Sequence, residues 1–153
     1  MSRLKFPARF ALITALFLLP LAYALYSLIS NITTQINFSQ KETYGTAYLR
    51  PAVALYHDLT EDYLASRVAL ATNRPTTPAI QANQPKVDAA FVALAALDAS
   101  YGPSFGVSDK FSSLRASWDA LKSTPRNTTA AQDSYASIIA SLRGIIATVG
   151  DQS

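Results

Sequence analysis

The segment from residue 10 to residue 30 carries no charged side chain, and it constrains the fold more than any other feature. Its 21 residues, FALITALFLLPLAYALYSLIS, would form a helix about 31 Å long, which is the thickness of a hydrocarbon core. Basic residues precede the segment and none occurs in the ten residues after it, which predicts a cytoplasmic N-terminus. The sequence therefore predicts a cytoplasmic flank at 1–9, a transmembrane helix at 10–30 and an exported portion at 31–153.

A cleaved secretory signal is the alternative interpretation of this segment. The basic start and apolar stretch are followed by Ala22-Tyr23-Ala24, which fits the small-x-small pattern of a cleavage site. The apolar run nevertheless continues through Leu25 to Ile29, and the residues beyond it have a helical pattern. These features favour a retained anchor in contact with the lipid bilayer.

The charge distribution argues against a nucleic-acid partner. The chain has a net charge of +3, and Arg3, Lys5 and Arg9 account for it, because the other 10 Lys and Arg equal the 10 Asp and Glu. The exported portion is therefore neutral overall and has no basic surface to release counterions from a phosphate backbone. The chain also lacks Cys, so no disulfide or thiolate metal site is expected.

Apolar residues beyond the membrane segment recur at helical spacing, which predicts an all-α fold. The first helix of the exported portion is expected at 31–71, continuous with the membrane helix, although Gly45 and Pro51 predict a bend or local looseness. One side of this helix forms an apolar stripe that faces the bundle. The stripe consists of Tyr44, Tyr48, Ala52, Leu55, Tyr56, Leu59 and Tyr63.

Three further amphipathic helices are predicted. Residues 73–85 contain three prolines and are expected to form the connection to a helix at 86–100. The next helix is expected at 109–123 with Ser108 as its N-cap, and Thr128 is expected to cap a last helix that stops at Gly150. Short polar turns between four helices predict an up-and-down four-helix bundle at 31–153.

Three residues of the first helix are candidates for ligand binding. Tyr48 belongs to a set of tyrosines that offers flat apolar area with a polar tip, and Arg50 has the geometry to hold an anion. The alternatives are a core tyrosine and a solvated arginine. His57 is the third candidate. It lies one turn from Glu61, but two ligands do not complete a metal site, so no metal is predicted.

No set of residues predicts catalysis. The Ser residues lack a neighbouring His and acid pattern, the carboxylates are scattered, and no Gly-rich phosphate loop occurs. We therefore expect neither an enzyme nor a bound cofactor.

The stretch at 35–55, QINFSQKETYGTAYLRPAVAL, resembles the start of the extracytoplasmic sensor region of bacterial methyl-accepting chemotaxis receptors and related transmembrane sensor histidine kinases. The residues that carry the resemblance are Gln40-Lys41-Glu42, Gly45 and Tyr48-Leu49-Arg50-Pro51. Weaker similarity extends to the Leu-Pro pair in the anchor, to Trp118 and to Ile-Ala-Thr-Val-Gly-Asp near the end.

The resemblance implies a periplasmic helical bundle at the bacterial inner membrane that senses a small-molecule ligand, works as a homodimer and transmits a displacement through the membrane. Receptors of this kind continue into a second membrane helix, a linker and a cytoplasmic output module, so the sequence is expected to be a fragment of such a protein. The alternative function is a membrane-tethered or secreted helical protein that serves as an interaction scaffold.

Overall fold

The computed structural model describes the backbone of residues 6–153 and the side chains of residues 14, 16, 18–30 and 41–153. Four helices account for nearly all of these residues, and no strand occurs between residues 6 and 153. The all-α prediction is confirmed. The helices are α1, Phe6–Ala71; α2, Pro78–Phe105; α3, Ser108–Lys122; and α4, Thr129–Gln152.

The chain divides into two units, Met1–Gln40 and Lys41–Ser153. In the first unit, the described side chains of residues 18–30 are almost all exposed. Residues 10–13, 15 and 17 of the predicted membrane segment lie outside the described side chains. Within the described part of the chain, no helix has the length and apolar character needed to cross a membrane.

The second unit is a helical bundle in which neighbouring helices are antiparallel. Tyr48 near the start of this unit bonds to Asp98 near the end of α2, and Asp88 near the start of α2 bonds to Trp118 near the end of α3. Apolar side chains from all four helices fill the centre. The largest fully buried ones include Trp118, Tyr48, Tyr135, Phe91, Phe105, Leu55, Leu59, Leu94 and Leu114.

The predicted apolar stripe of α1 contributes to this core as expected. Tyr48, Ala52, Leu55 and Leu59 are fully buried, and the other three tyrosines of the stripe are partly buried against the same cluster. The helix is continuous through Gly45 and Pro51. The bend proposed from these two residues therefore does not interrupt α1.

The start of α2 differs from the prediction by eight residues. The Thr77 side chain accepts a hydrogen bond from the Ile80 amide at 3.3 Å, and Pro78 occupies the first helical position, where its missing N–H is not needed. Ile80 is buried in a small cluster with Ala65 and Ala69. Pro78 therefore begins the helix and Pro85 lies inside it, so only residues 72–77, which include Pro75, join α1 to α2.

The predicted start of α4 agrees with the structure, whereas its predicted end and the predicted N-cap of α3 do not. Thr128 caps α4 by accepting from the Ala131 amide, as predicted, but α4 continues past Gly150 to Gln152. Ser108 is not the N-cap of α3, because only Gly106, in the left-handed conformation, and Val107 separate α2 from α3, and Val107 is the N-cap. So short a connection leaves Ser108 inside α3.

Gly102 is required by a close approach between α2 and α3. A Cβ atom at this position would overlap the carboxylate of Asp98 and approach the hydroxyl of Ser108. The buried Asp98 carboxylate accepts a hydrogen bond from Tyr48, so a shift away from an added Cβ would disturb that bond.

We expect Gly102→Ala to lower the free energy of unfolding by about 1–3 kcal/mol, the cost of disrupting one buried hydrogen bond. Gly144→Ala is the matched control, because a Cβ there meets no atom within 4 Å. That substitution should raise stability by about 0.5–1 kcal/mol, since alanine has the higher helix propensity. Thermal unfolding followed by helical circular dichroism measures both. Equal effects of the two substitutions would disprove the close approach.

Candidate functional site

The structure separates the three residues predicted to bind a ligand. Tyr48 is fully buried, and its hydroxyl donates to Asp98 Oδ1 at 2.9 Å. Burial, reinforced by the Asp98 carboxylate, raises the pKa of Tyr48 far above its ordinary value. The Tyr48 side chain is therefore a neutral member of the core that fixes α1 to α2.

Arg50 and His57 are exposed on another side of α1 and do not lie with Tyr48. The His57 side chain is 70% exposed, and Val53 lies between it and Arg50 on the same side. The structure therefore brings Arg50 and His57 to one surface of the bundle and places Tyr48 inside it.

His57 is close to two carboxylates. Its Nδ1 is 3.8 Å from Asp58 Oδ1, its Nε2 is 3.8 Å from Glu61 Oε1, and the three residues offer ligand atoms within 4.8 Å of one another. Lys86 Nζ lies 3.9 Å from Glu61 Oε2 and supplies a competing positive charge. Polar contacts of His57 together with the ion pair between Glu61 and Lys86 account for this partly exposed arrangement.

A buried polar cluster lies where α1 ends and α4 begins, and we call it the Asp62 cluster. It comprises Asp62 and Ser66 of α1, Gln132 and Tyr135 of α4, and Arg126 of the connection before α4. The Tyr135 hydroxyl donates to Asp62 Oδ2, and the Gln132 amide donates to Ser66 Oγ at 3.1 Å. These two contacts fix α1 to α4.

Arg126 is the charged centre of the cluster and is only 4% exposed. Its guanidinium lies 5.5 Å from the ring centroid of Trp118 and 5.3 Å from that of Tyr135, so it is held by two aromatic faces. Nη1 donates at 2.7 Å to the Leu121 carbonyl oxygen, near the C-terminal end of α3, which also accepts from the Thr124 amide. Arg126 thus joins α3 to α4 through the core.

The charge of Asp62 is poorly stabilised in spite of these neighbours. Burial raises the pKa of the Asp62 carboxyl, whereas the hydrogen bond from Tyr135 and the positive charge of Arg126 lower it and the negative charge of Asp88 raises it. The burial effect is the largest, so the folded pKa lies above the ordinary value. The pKa of the Tyr135 hydroxyl is also raised, mainly by burial and by the Asp62 charge.

We expect the ionisation of Asp62 to make the bundle less stable as the pH rises. Between the ordinary carboxyl pKa, about 3.9, and the higher folded pKa, the folded state holds more protons than the unfolded state, so the free energy of unfolding falls with increasing pH. Asp62→Asn cannot ionise and should lose this dependence. Unfolding monitored by Trp118, the single tryptophan, provides the measurement.

The free energy of unfolding of Asp62→Asn minus that of the parent protein should increase from about pH 4 towards about pH 7. Asp119 has a pKa lowered by its hydrogen bond to Lys122 and acts in the opposite direction, but it is the same in both proteins. A difference that is independent of pH would contradict a raised pKa of Asp62.

A second polar network holds α2 against α3. Trp118 Nε1 donates to Asp88 Oδ1 at 2.7 Å, and Lys122 Nζ donates to the same oxygen at 3.1 Å. Lys122 also pairs with Asp119 at 2.8 Å. These side chains are partly exposed, apart from the buried indole, and they serve to position Trp118 in the core.

An open groove of about 460 Å³ lies between α3 and α4. Its lining contains neither a buried charge nor any of the three predicted ligand residues. The residues that line it are Asp109, Lys110, Ser113, Leu114, Ser117, Ser141 and Gly144.

The buried acids were missed by sequence reasoning, although the helical spacing contained a signal. Leu55, Leu59 and Asp62 follow one another at steps of four and three residues. Phe91, Leu94 and Asp98 follow one another at steps of three and four, so both acids lie on the apolar side of their helix. A polar residue at a core position is informative because its burial requires a hydrogen-bond partner. Arg126 lies outside any periodic segment, and no pattern indicates its burial.

The comparisons with known proteins identify no relative. No protein-family model matches the chain, and neither the curated proteins nor the solved structures include a significant match.

Proposed function

We propose that the chain is the signal-input portion of a bacterial membrane chemoreceptor or sensor kinase. In this proposal residues 10–30 cross the inner membrane from a cytoplasmic N-terminus, and the residues after 30 form a periplasmic bundle that senses a small molecule. The observation that carries the proposal is α1, Phe6–Ala71, because one helix contains the apolar segment and also supplies one side of the bundle core.

The exposed apolar side chains of α1 support the membrane anchor. Within the first unit, large apolar residues are exposed around the helix instead of along one stripe, and a helix that is apolar on all sides requires a nonpolar environment. These exposed residues are Leu16, Leu18, Leu19, Leu21, Tyr23, Leu25, Tyr26, Leu28 and Ile29.

The buried contacts of α1 support signal transmission by helix displacement. Tyr48 joins α1 to α2 through Asp98, and Asp62 joins α1 to α4 through Tyr135. A ligand that prefers one packing of α2 and α4 therefore acts on α1 through defined side chains, and its differential affinity for the two packings provides the free energy for the shift.

An exposed side of α1 supports a homodimer. Val53, Leu64 and Val68 are more than half exposed, and together with Arg50 and His57 they form a surface that we call the outer α1 face. The successive steps along this face are of three, four, seven and four residues, which is the spacing at which two helices pair in a coiled coil. A second copy of α1 would cover these valines and Leu64.

Single cysteines test the dimer, because the chain has no Cys of its own. Val53→Cys and Leu64→Cys should each form a disulfide-linked dimer when membranes that contain the full chain are oxidised. Val92→Cys is the matched control, since Val92 is equally exposed but lies on α2. Cross-linking that is as efficient at Val92 as on α1 would reject the outer α1 face as the dimer interface.

Labelling of the same Val92→Cys protein tests the topology. A thiol reagent that cannot cross membranes should label it in intact spheroplasts, because the bundle is proposed to be periplasmic. Protection until the cells are lysed would overturn the proposed orientation. A gene that encodes no further membrane helix or signalling module downstream would favour the alternative, a helical scaffold protein.

A further inference from the structure

Three buried polar atoms of the Asp62 cluster have no hydrogen-bond partner among the described residues: Asp62 Oδ1, Arg126 Nη2 and Gln132 Oε1. One other polar atom of each side chain is paired with a protein group: Asp62 Oδ2 with Tyr135, Arg126 Nη1 with the Leu121 carbonyl, and Gln132 Nε2 with Ser66. Leaving a polar atom both buried and unpaired costs about 1–3 kcal/mol, so three in one cluster indicate an additional bonding partner.

We propose that the Asp62 cluster binds one internal water molecule. The required partner must donate two hydrogen bonds, to the carboxylate oxygen of Asp62 and the amide oxygen of Gln132, and accept one from the Arg126 guanidinium. Water donates two and accepts up to two, and buried waters typically make about three hydrogen bonds to otherwise unsatisfied groups.

The charges of the cluster argue against an ion at this position. Arg126 disfavours a metal or ammonium cation, and neither has a lone pair to accept from Nη2. The carboxylate of Asp62 disfavours an anion, and an anion without a proton, such as a halide, could not donate to either acceptor oxygen. The ligand is therefore neutral and hydroxylic, and water is the smallest molecule of that class.

This water would connect three parts of the bundle. Asp62 lies on α1, Gln132 lies on α4 and Arg126 lies in the connection between α3 and α4. The bridging bonds would supplement the direct contacts of Tyr135 and Ser66, so the water is a structural element of the junction and does not depend on the proposed sensory function.

A crystal structure of the full chain that resolves ordered water gives the first test. We expect one water oxygen within hydrogen-bond distance of Asp62 Oδ1, Arg126 Nη2 and Gln132 Oε1. An empty position, or these three atoms paired with protein groups instead, would overturn the proposal.

Magnetic relaxation dispersion of water in solution gives the second test, because it counts water molecules with long residence times. The double variant Asp62→Leu with Arg126→Met removes two of the three partners together and should lose one long-lived water. Glu61→Leu with Lys86→Met removes the charges of an exposed ion pair whose atoms are not among the buried unpaired ones, and should lose none. An unchanged count in a folded Asp62→Leu, Arg126→Met protein would also reject the site, and the crystal structure decides if that variant does not fold.

Discussion

Trp118→Ala is expected to lower the free energy of unfolding by about 3–5 kcal/mol, the range for truncating a large buried aromatic residue. The indole is fully buried and stacks on Phe91 with ring centroids 6.1 Å apart. It also donates to Asp88 and supports the guanidinium of Arg126. The substitution therefore removes packing, a hydrogen bond and a cation–π contact together. Urea unfolding followed by circular dichroism measures the loss.

Trp118→Phe separates the packing of the ring from its hydrogen bond. Phenylalanine keeps much of the apolar contact but cannot donate to Asp88, whose Oδ1 still accepts from Lys122. We expect a loss near the lower end of about 1–3 kcal/mol. If Trp118→Ala lowered the free energy of unfolding no more than Trp118→Phe did, the packing of the indole would not stabilise the core.

Arg126→Met is expected to lower the free energy of unfolding by about 2–4 kcal/mol, although it replaces a charged residue with an apolar one in the interior. Methionine fills part of the volume between the rings of Trp118 and Tyr135 but cannot bond to the Leu121 carbonyl. It also leaves the Asp62 carboxylate without the positive charge that lowers its pKa. The loss should therefore be larger near neutral pH than in acid, where Asp62 is protonated.

Arg115→Met is the matched control for that substitution. Arg115 also lies over an aromatic ring, 5.4 Å from the centroid of Phe91, and pairs with Asp119 at 3.5 Å. Its side chain is about one-third exposed, so solvent screens its charge, and we expect a loss below about 1 kcal/mol. Equal losses at the two positions, or a loss at Arg126 that does not vary with pH, would contradict a structural role for the buried charge.

The confirmed core prediction and the separation of the predicted ligand residues in the structure have the same physical origin. Helical spacing reports which residues share one side of a helix, so the buried stripe that contains Leu55 and Leu59 could be recognised from the chain alone. Spacing does not report which polar residue meets which across helices. Tyr48 is a candidate ligand residue by its ring and polar tip, and no local pattern indicates its actual partner, Asp98, which is 50 residues away.

The connection before α2 shows a second limit of sequence reasoning. Three prolines and several polar residues between 73 and 85 predict a turn. Pro78 instead begins the helix, because Thr77 caps it and the added turn buries Ile80 against Ala65 and Ala69. Whether a proline ends or begins a helix depends on its position relative to the cap and on the packing that the extra turn gains.

The sequence by itself determined that the chain is helical, which side of each helix is apolar, and where Thr128 begins α4. Each of these properties depends on residues within a few turns of one another. Only the tertiary structure decided that Asp62, Arg126 and Gln132 meet in one buried cluster while Arg50 and His57 remain exposed. That outcome depends on the packing of α1 against α4 and of the connection between them, which joins side chains up to 73 residues apart. The free energy of burying a polar group is set by the partners it finds there, and no local pattern specifies those partners.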